Sequence, residues 1–394
     1  MDQQTALENL FSPATRTQLV ELRHDLHRHP ELAFEEERTA TKLHASLEAL
    51  QPKTLERVAG TGVVARIEGS DPGAPVVALR GDIDALPIQE DTGLEFASEH
   101  PGVMHACGHD VHATWAIGAA HLLSRHPARG DVLIVLQPAE ETGGGAPSVL
   151  ESGILDDARA IFGAHVDRRF QVGEVVADAG PLAAAADEFT VELKGSGAHG
   201  ARPHEGIDPI VGAAAIITEL QTVVSRRIDP SKAAVVSVGA IHAGTAPNVI
   251  PETASLCGTT RAMDSHTRKT LHDEVRHVVE STAAAHHLEV AIEIELGTPP
   301  IINREEHVAW ARRAATALLG DGALRPLGTP NMGGEDFAFY LEKLPGCFLR
   351  VGAREPGGDV IPAHSPRFFA ADDAIFVGAA VLAETARIAS AELR

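Results

Sequence analysis

The chain of 394 residues has 33 basic and 55 acidic residues, which gives a formal net charge of −22 with histidine neutral. Binding to nucleic acid or to an anionic membrane surface requires a basic footprint, so this charge argues against both as the main partner. The proportions of hydrophobic (44 %) and charged (22 %) residues are those of a globular protein and exclude wholesale disorder.

The sequence shows no sign of export or of membrane insertion. No apolar run approaches the roughly 18 residues of a membrane helix, and the polar N-terminal residues lack a signal-peptide pattern. Three cysteines, far apart in the sequence, give no disulfide framework. We therefore expect a reduced, cytoplasmic protein.

Strands alternate with helices in the first half of the chain. Apolar periodicity predicts helices at residues 16–29, 37–50 and 113–125, and short β-branched runs predict strands at residues 63–67, 76–79, 132–136 and 160–164. This alternation favours an α/β layer with a largely parallel sheet. Ligands bind beyond the carboxyl ends of such strands, and His165 is expected to end the last of these four.

A second pattern begins near residue 187. It runs strand, helix, strand, strand, helix, strand, at residues 189–193, 208–226, 235–241, 253–261, 266–286 and 288–294. This order matches the split βαβ sandwich, a self-contained small domain. We predict a discontinuous α/β domain formed by residues 1–183 and 297–394, with an inserted α+β domain of the ferredoxin-like type at residues 184–296.

The densest chemical signal is the segment MHACGHDVH at residues 104–112. Its thiol, imidazoles and carboxylate are the sulfur, nitrogen and oxygen donors that Zn²⁺ and similar ions prefer. Cys107 and His109 lie two residues apart, so an extended loop would point both side chains the same way. The alternative is a polar loop entering a helix, with a buried cysteine beside hydrogen-bonded histidines.

Glu140 and Glu141 form a second signal, just after the predicted strand at residues 132–136. Adjacent carboxylates at a buried strand end repel each other and lose solvation, so a nearby cation is expected to hold them there. Their side chains diverge, which lets one bind a metal while the other faces a water molecule. If the Glu140-Glu141 pair is considered alone, a solvated surface loop is the simpler explanation.

Two further histidines, His165 and His364, complete the pattern. Either one alone would be interpreted as a hydrogen-bonded structural residue. Together these signals give five donors, too many for one tetrahedral ion but enough for two metal ions with open positions for water. The five are Cys107, His109, Glu141, His165 and His364.

Five segments resemble the aminoacylase/carboxypeptidase family of dinuclear metallohydrolases, most closely its hippurate hydrolase and indole-acetyl-amino-acid hydrolase branch. They follow the family's order and are LRGDIDALPI (79–88), PGVMHACGHD (101–110), QPAEE (137–141), GEDFA (334–338) and HSPRF (364–368). The resemblance implies a catalytic α/β domain with an inserted domain that is often used for dimerisation. It therefore implies a homodimer or a higher homo-oligomer.

The resemblance also assigns roles in the site. The five donors become ligands of two divalent ions (Zn²⁺, Mn²⁺, Co²⁺ or Ni²⁺), and Glu140 becomes the general base. Other branches begin their ligand set with a histidine where this chain has Arg80, so their metal preference does not transfer. Asp82 is expected among the substrate-site residues, orienting a ligand or its imidazole. The alternative for Asp82 is a strand-end cap or a partner for Arg80.

Three residues of the inserted segment are assigned in the same way. GSGAHGARPH (195–204) and APNVIP (246–251) match the family's glycine-rich histidine loop and asparagine motif. The resemblance implies that His199 polarises the scissile carbonyl, that Asn248 assists it and that Arg261 takes the substrate carboxylate. Without the motifs, these would be interpreted as a turn histidine, a capping asparagine and a surface arginine.

These expectations describe a metal-dependent amidohydrolase that cleaves small N-acyl-amino acids into a carboxylic acid and a free amino acid. One alternative is a dipeptidase or carboxypeptidase that uses the same dinuclear site. Another is a non-catalytic homologue that binds a metal or ligand. Glu140 weighs against the last alternative, because pure binding has no need of a base.

Overall fold

The computed structural model describes residues 10–393. The α-helices, numbered in chain order, are α1 (Pro13–Arg28), α2 (Glu37–Glu48), α3 (His109–Arg125), α4 (Gly145–Glu151), α5 (Pro209–Thr222), α6 (Ser265–Ala285), α7 (Glu305–Leu319), α8 (Phe337–Lys343) and α9 (Asp373–Glu392). The strands are β1 (Thr54–Val58), β2 (Gly62–Ile67), β3 (Val76–Asp82), β4 (Val132–Gln137), β5 (Ala158–Gln171), β6 (Val175–Val176), β7 (Gly180–Ala183), β8 (Ala185–Lys194), β9 (Ala198–His199), β10 (Ala234–Ala243), β11 (Val249–Ile250), β12 (Thr253–Ala262), β13 (Glu289–Glu295), β14 (Ile301–Asn303) and β15 (Gly346–Arg354).

The chain divides into two compact units. The first contains the chain up to Gly180, Ile302–Thr329 and the chain from Asp336 onward. The second contains Pro181–Ile301 and Pro330–Glu335. Each unit is thus assembled from segments that are separated in the sequence.

The first unit is built on a seven-stranded sheet in the order β1-β2-β4-β3-β5-β15-β6. The central strands β4, β3, β5 and β15 are parallel, whereas β1, β2 and β6 pair antiparallel at the edges. Every residue of β4 is buried, as expected for a parallel strand that is covered on both faces. The predicted α/β class is confirmed.

Helix α9 lies in the core of this unit and packs against α3. Within residues 10–393, it is the helix whose length and mean hydropathy (1.5) suffice for a membrane span, yet 78 % of that stretch is buried inside the protein. A Cβ added at Gly378 would lie 2.2 Å from the Trp115 ring, which shows how closely the two helices approach. Glu384 and Arg387 interrupt its apolar run, as the sequence indicates, and a buried alanine- and valine-rich core helix reaches a similar mean hydropathy.

The second unit contains the antiparallel sheet β10-β12-β8-β13, with α5 and α6 packed together. Burial alternates along β8, whose Phe189, Val191 and Leu193 face a core shared with Ile216 of α5 and Val275 of α6. One covered face and one polar face account for this alternation. The strand order is that of the split βαβ fold, so the second predicted fold class is also confirmed.

Strand β5 is longer than the sequence predicts. His165 was expected at its end, but the strand continues to Gln171. Its partner β15 places Arg350 opposite His165 and Arg354 opposite Gln171, and this pairing supports the polar continuation of the strand. His165 therefore projects from the interior of a paired strand, where neighbouring strands fix its backbone.

Candidate metal centre

The candidate ligands lie where several elements of the first unit end or begin. Strand β3 ends at Asp82, β4 ends at Gln137 just before Glu140, and α3 begins at His109. Ala139, the buried residue before Glu140, has φ +53°, a conformation that is unfavourable for a residue with a Cβ. Its N–H donates to Glu36 Oε1 at 2.9 Å, which helps to hold this turn in place.

Gly108 sets the geometry between Cys107 and His109. It has φ +91°, and a Cβ at this position would lie 2.4 Å from Cγ2 of Val166. His109 is the first residue of α3, so the two side chains are related by a sharp turn. The extended loop predicted from their spacing was wrong, because α3 begins four residues earlier than its apolar periodicity indicates.

The hydrogen bonds of His109 define which ring nitrogen is free to bind a ligand. Its Nδ1 lies 2.9 Å from the carbonyl oxygen of Asp84 and 3.1 Å from Asp84 Oδ1, so Nδ1–H is the donor. Nε2 is buried without a hydrogen-bond partner in the described chain. It lies 3.8 Å from Oε2 of Glu140 and 3.9 Å from Oε1 of Glu141.

His165 is oriented in the same manner. Its Nδ1–H donates to the carbonyl oxygen of Val166 at 2.6 Å, which leaves Nε2 to accept from the Cys107 thiol at 3.2 Å. Burial, followed by the charge of His112, lowers the pKa of His165 well below its usual value. Burial and the nearby Glu141 raise the pKa of Cys107 to about 12. A neutral imidazole therefore faces a thiol.

Glu141 joins this group to His364. Its N–H donates to Asp84 Oδ2 at 3.0 Å, and its Oε2 lies 3.5 Å from Nε2 of His364. Its Oε1 is buried without a hydrogen-bond partner among residues 10–393. His364 is 54 % exposed and has φ +64°, and its N–H donates to the carbonyl oxygen of Ala106 at 2.8 Å.

The five donors fit divalent cations. The ligand atoms of Cys107, His109 and His165 lie within 4.8 Å of one another, and so do those of Cys107, Glu141 and His364. Atoms bound to one ion lie about 3–4 Å apart, so little adjustment is needed. Each buried histidine holds its Nδ1–H on an oxygen and turns Nε2 inward, as ligating histidines do. Cys107 belongs to both groups.

Asp82 lies in a fully buried network beside these donors. Its carboxylate forms an ion pair with Arg80 and accepts from His112 Nδ1–H at 2.6 Å. His112 Nε2 in turn accepts the N–H of Val166 at 2.9 Å, so both nitrogens of His112 are engaged. Burial alone would raise the pKa of Asp82, but the charges of Arg80 and His109 outweigh it and hold that pKa well below its usual range.

Two supporting residues were missed by sequence reasoning. Asp84 contacts both His109 and Glu141, and its only sequence signal is its place in LRGDIDALPI. His112 was counted among the imidazoles of its segment, but spacing alone cannot separate a ligand from a residue that orients a neighbour. Hydrogen-bond partners make that distinction.

The other predicted site residues lie in the second unit. Strand β9 pairs with β11, and Gly200 N–H donates to the carbonyl oxygen of Asn248 at 2.7 Å, which brings His199 and Asn248 together. Both residues are exposed, and His199 Nδ1 accepts the N–H of Ala201 at 3.0 Å. Arg261 lies in β12, where its guanidinium donates to the carbonyl oxygen of Thr260 at 2.9 Å.

Comparison with known proteins identifies the family. Residues 78–388 match Peptidase family M20/M25/M40. N-acetyl-L-cysteine deacetylase of Bacillus subtilis (strain 168) is 41 % identical over 377 residues, covering 94 % of this chain and 88 % of that protein. IAA-amino acid hydrolase ILR1-like 2 of Arabidopsis thaliana is 37 % identical over 386 residues, covering 96 % and 87 %.

A solved structure agrees with these relatives. The crystal structure of the YXEP protein of Bacillus subtilis, a dinuclear metal binding peptidase from the M20 family, matches with a TM-score of 0.86 and 37 % identity. The match covers 97 % of this chain and 100 % of that one. Fold and sequence similarity together define a hydrolase that acts on amide bonds. The chain belongs to peptidase family M20/M25/M40.

Proposed function

We propose that this protein is a metal-dependent amidohydrolase that cleaves N-acyl-amino acids into a carboxylic acid and a free amino acid. The observation that carries the proposal is the position of Glu140, whose Oε2 lies 3.8 Å from the inward-facing Nε2 of His109. A carboxylate beside a metal-type donor set is suited to proton transfer at that site. The similarity to an N-acetyl-L-cysteine deacetylase and an IAA-amino acid hydrolase supports this substrate class.

Cys107, His109, Glu141, His165 and His364 would hold two divalent ions, Zn²⁺, Mn²⁺, Co²⁺ or Ni²⁺. When bound, such ions supply Lewis acidity toward the amide carbonyl and toward the attacking water. Cys107 belongs to both donor groups, so its sulfur would be available to either ion. Asp84 orients His109 and Glu141 through hydrogen bonds, and the Asp82–His112 pair holds the backbone N–H of Val166, the residue after His165.

Glu140 is the general base in this proposal. Its carboxylate takes a proton from the water whose oxygen attacks the amide carbon, and it then delivers that proton to the nitrogen as the C–N bond breaks. The products are the carboxylate of the acyl group and the free amino group. Asp336 N–H lies 3.4 Å from Glu140 Oε1 and helps to direct the other oxygen toward His109.

The second unit supplies the remaining roles in the proposal. His199 stabilises the developing oxyanion, Asn248 assists it, and Arg261 takes the substrate carboxylate. Residues 1–183 and 297–394 form the metal-dependent catalytic domain, and residues 184–296 serve dimerisation or act as a lid. The protein works in the cytoplasm as a homodimer or a higher homo-oligomer.

The proposal is tested by amine release from N-acetyl-, N-benzoyl- and indole-acetyl-amino acids and from dipeptides. Metal-stripped protein should be inactive and should recover with an added divalent ion. Glu140→Gln should lose about 10²- to 10⁴-fold in turnover while its metal content stays unchanged. Full turnover in that variant would refute the general-base assignment. Preference for dipeptides would indicate a peptidase instead, and inertness of the fully loaded protein would indicate binding alone.

A further inference from the structure

Four arginines of the described chain are buried, and three of them have carboxylate partners. Arg23 pairs with Asp110 and Asp372, Arg80 pairs with Asp82 and Asp336, and Arg168 pairs with Glu355. The fourth is Arg350, which is 6 % exposed. Within residues 10–393 its guanidinium forms no hydrogen bond and no ion pair.

Arg350 lies in β15, directly opposite His165 of the parallel strand β5. Residues paired across parallel strands project from the same face of a sheet, so the guanidinium lies on the face from which His165 projects. Its positive charge is one of the influences that lower the pKa of His165, after burial and His112. Arg350 is therefore beside a candidate metal ligand of the first unit.

The surroundings of Arg350 compensate its charge only in part. Its Cζ lies 5.6 Å from the centre of the Phe348 ring, two residues earlier on the same strand. A cation–π contact offsets a small part of the cost of burying a charge, and an unpaired buried charge is strongly unfavourable. A buried arginine without a protein partner next to a reaction centre is therefore suited to an anionic ligand.

We propose that Arg350 is an anion-binding residue of this site and that it takes a carboxylate group of the substrate. A guanidinium presents paired N–H donors that match the two oxygens of a carboxylate. The inference rests on the proposed function for the identity of the substrate, an N-acyl-amino acid. The carboxylate is either the α-carboxylate of the amino acid, in which case Arg261 would not be its sole partner, or a second one carried by the acyl group.

Binding is measured in metal-loaded Glu140→Gln protein, so that turnover does not interfere. Three probes separate the sources: N-acetyl-L-alanine carries only the α-carboxylate, N-succinyl-L-alanine amide carries only an acyl carboxylate, and N-acetyl-L-alanine amide carries none. Introducing Arg350→Met into this protein should lower the affinity for one carboxylate probe by about 10- to 100-fold. The affinity for the probe without a carboxylate should stay unchanged. The weakened probe identifies which carboxylate is bound.

Arg350→Lys keeps the charge but loses the paired donors, so it should recover part of the affinity. Arg313→Met is the matched control, because Arg313 is an exposed arginine of α7 that pairs with Glu392. It removes the same charge and should leave all three affinities unchanged.

A second measurement separates binding from a structural role. Arg350→Met removes an uncompensated buried charge, so the Tm of the ligand-free protein should stay equal or rise. The proposal is overturned if neither carboxylate probe is weakened, or if all three probes weaken equally and the Tm falls. These readouts do not need turnover, so failure of the amidohydrolase assay is distinguishable from failure of this inference.

Discussion

Asp84 holds His109 through two oxygen atoms, since the histidine Nδ1–H lies 2.9 Å from its carbonyl oxygen and 3.1 Å from its Oδ1. The second carboxylate oxygen of Asp84 accepts the N–H of Glu141 at 3.0 Å. One carboxylate thus orients two candidate ligands that lie 32 positions apart in the sequence (109 and 141). Removing the Asp84 carboxylate should therefore weaken metal binding, although Asp84 is not itself among the proposed ligands.

Asp84→Asn tests this relationship. The amide keeps the size of the carboxylate but replaces one acceptor oxygen by a donor, so either His109 or Glu141 loses a partner. We expect the affinity for divalent metal to fall by about 10- to 100-fold, measured by competition with a chelator. Asp91→Asn, at an exposed position of the first unit, is the control. Equal affinities in the two variants would contradict the orienting role.

The three free cysteines provide an internal comparison for the ligand role of Cys107. Cys107→Ser replaces a soft sulfur donor by a hydroxyl group, so binding of Zn²⁺ or Co²⁺ should weaken and the sulfur-to-cobalt charge-transfer absorption should disappear. Cys257 is exposed, and Cys257→Ser should leave both properties intact. Retained charge-transfer absorption in Cys107→Ser would remove Cys107 from the ligand set.

His112 is expected to contribute to stability through the network of Asp82. In His112→Phe the buried carboxylate of Asp82 and the N–H of Val166 both lose a partner. The free energy of unfolding of the first unit should fall by about 2–5 kcal/mol. Both tryptophans, Trp115 and Trp310, lie in this unit, so their fluorescence during urea unfolding of metal-free protein reports on it.

His121→Phe is the matched control for this substitution. His121 lies in the same helix, is partly exposed and makes one hydrogen bond of 3.3 Å to Thr15. His121→Phe should lower the free energy of unfolding by less than half as much as His112→Phe. Equal losses in the two variants would show that the network of Asp82 adds no special stability.

Asp187 should make the second unit sensitive to acid. Burial alone would raise its pKa, but hydrogen bonds from His272 and Arg268 outweigh burial and lower the pKa of Asp187 to about 2. A carboxylate with a lowered pKa stabilises the fold at pH values above its usual pKa of 3.8, and this stabilisation is lost as the pH falls from 3.8 toward 2. At pH 6, the free energy of unfolding of Asp187→Asn should therefore be about 1–2 kcal/mol lower than that of the unmodified chain.

Urea unfolding followed by circular dichroism measures this effect. The difference in free energy of unfolding between the unmodified chain and Asp187→Asn should disappear as the pH is lowered toward 2. Asp273→Asn, on the exposed side of α6, should show no comparable gap at any pH. A gap that persists unchanged at the lowest pH would mean that ionisation of Asp187 is not its source.

Much of the fold could be predicted from the sequence because its elements are local patterns. The parallel core strands are continuous apolar runs, and the second unit repeats the strand–helix order of a known small fold. Element ends were less predictable. The polar end of β5 is held by pairing with β15, and α3 begins directly after Gly108, where the positive φ and the nearby Val166 leave no room for a side chain.

The sequence by itself determined the donor chemistry, because the types of side chain in MHACGHDVH and in the Glu140-Glu141 pair restrict what the site can bind. Only the tertiary structure separated His109, whose Nε2 has no hydrogen-bond partner, from His112, whose nitrogens are both engaged. It alone also revealed Arg350 as a buried arginine beside His165. The physical reason is that hydrogen-bond satisfaction and charge compensation depend on residues distant in sequence, which no local pattern records.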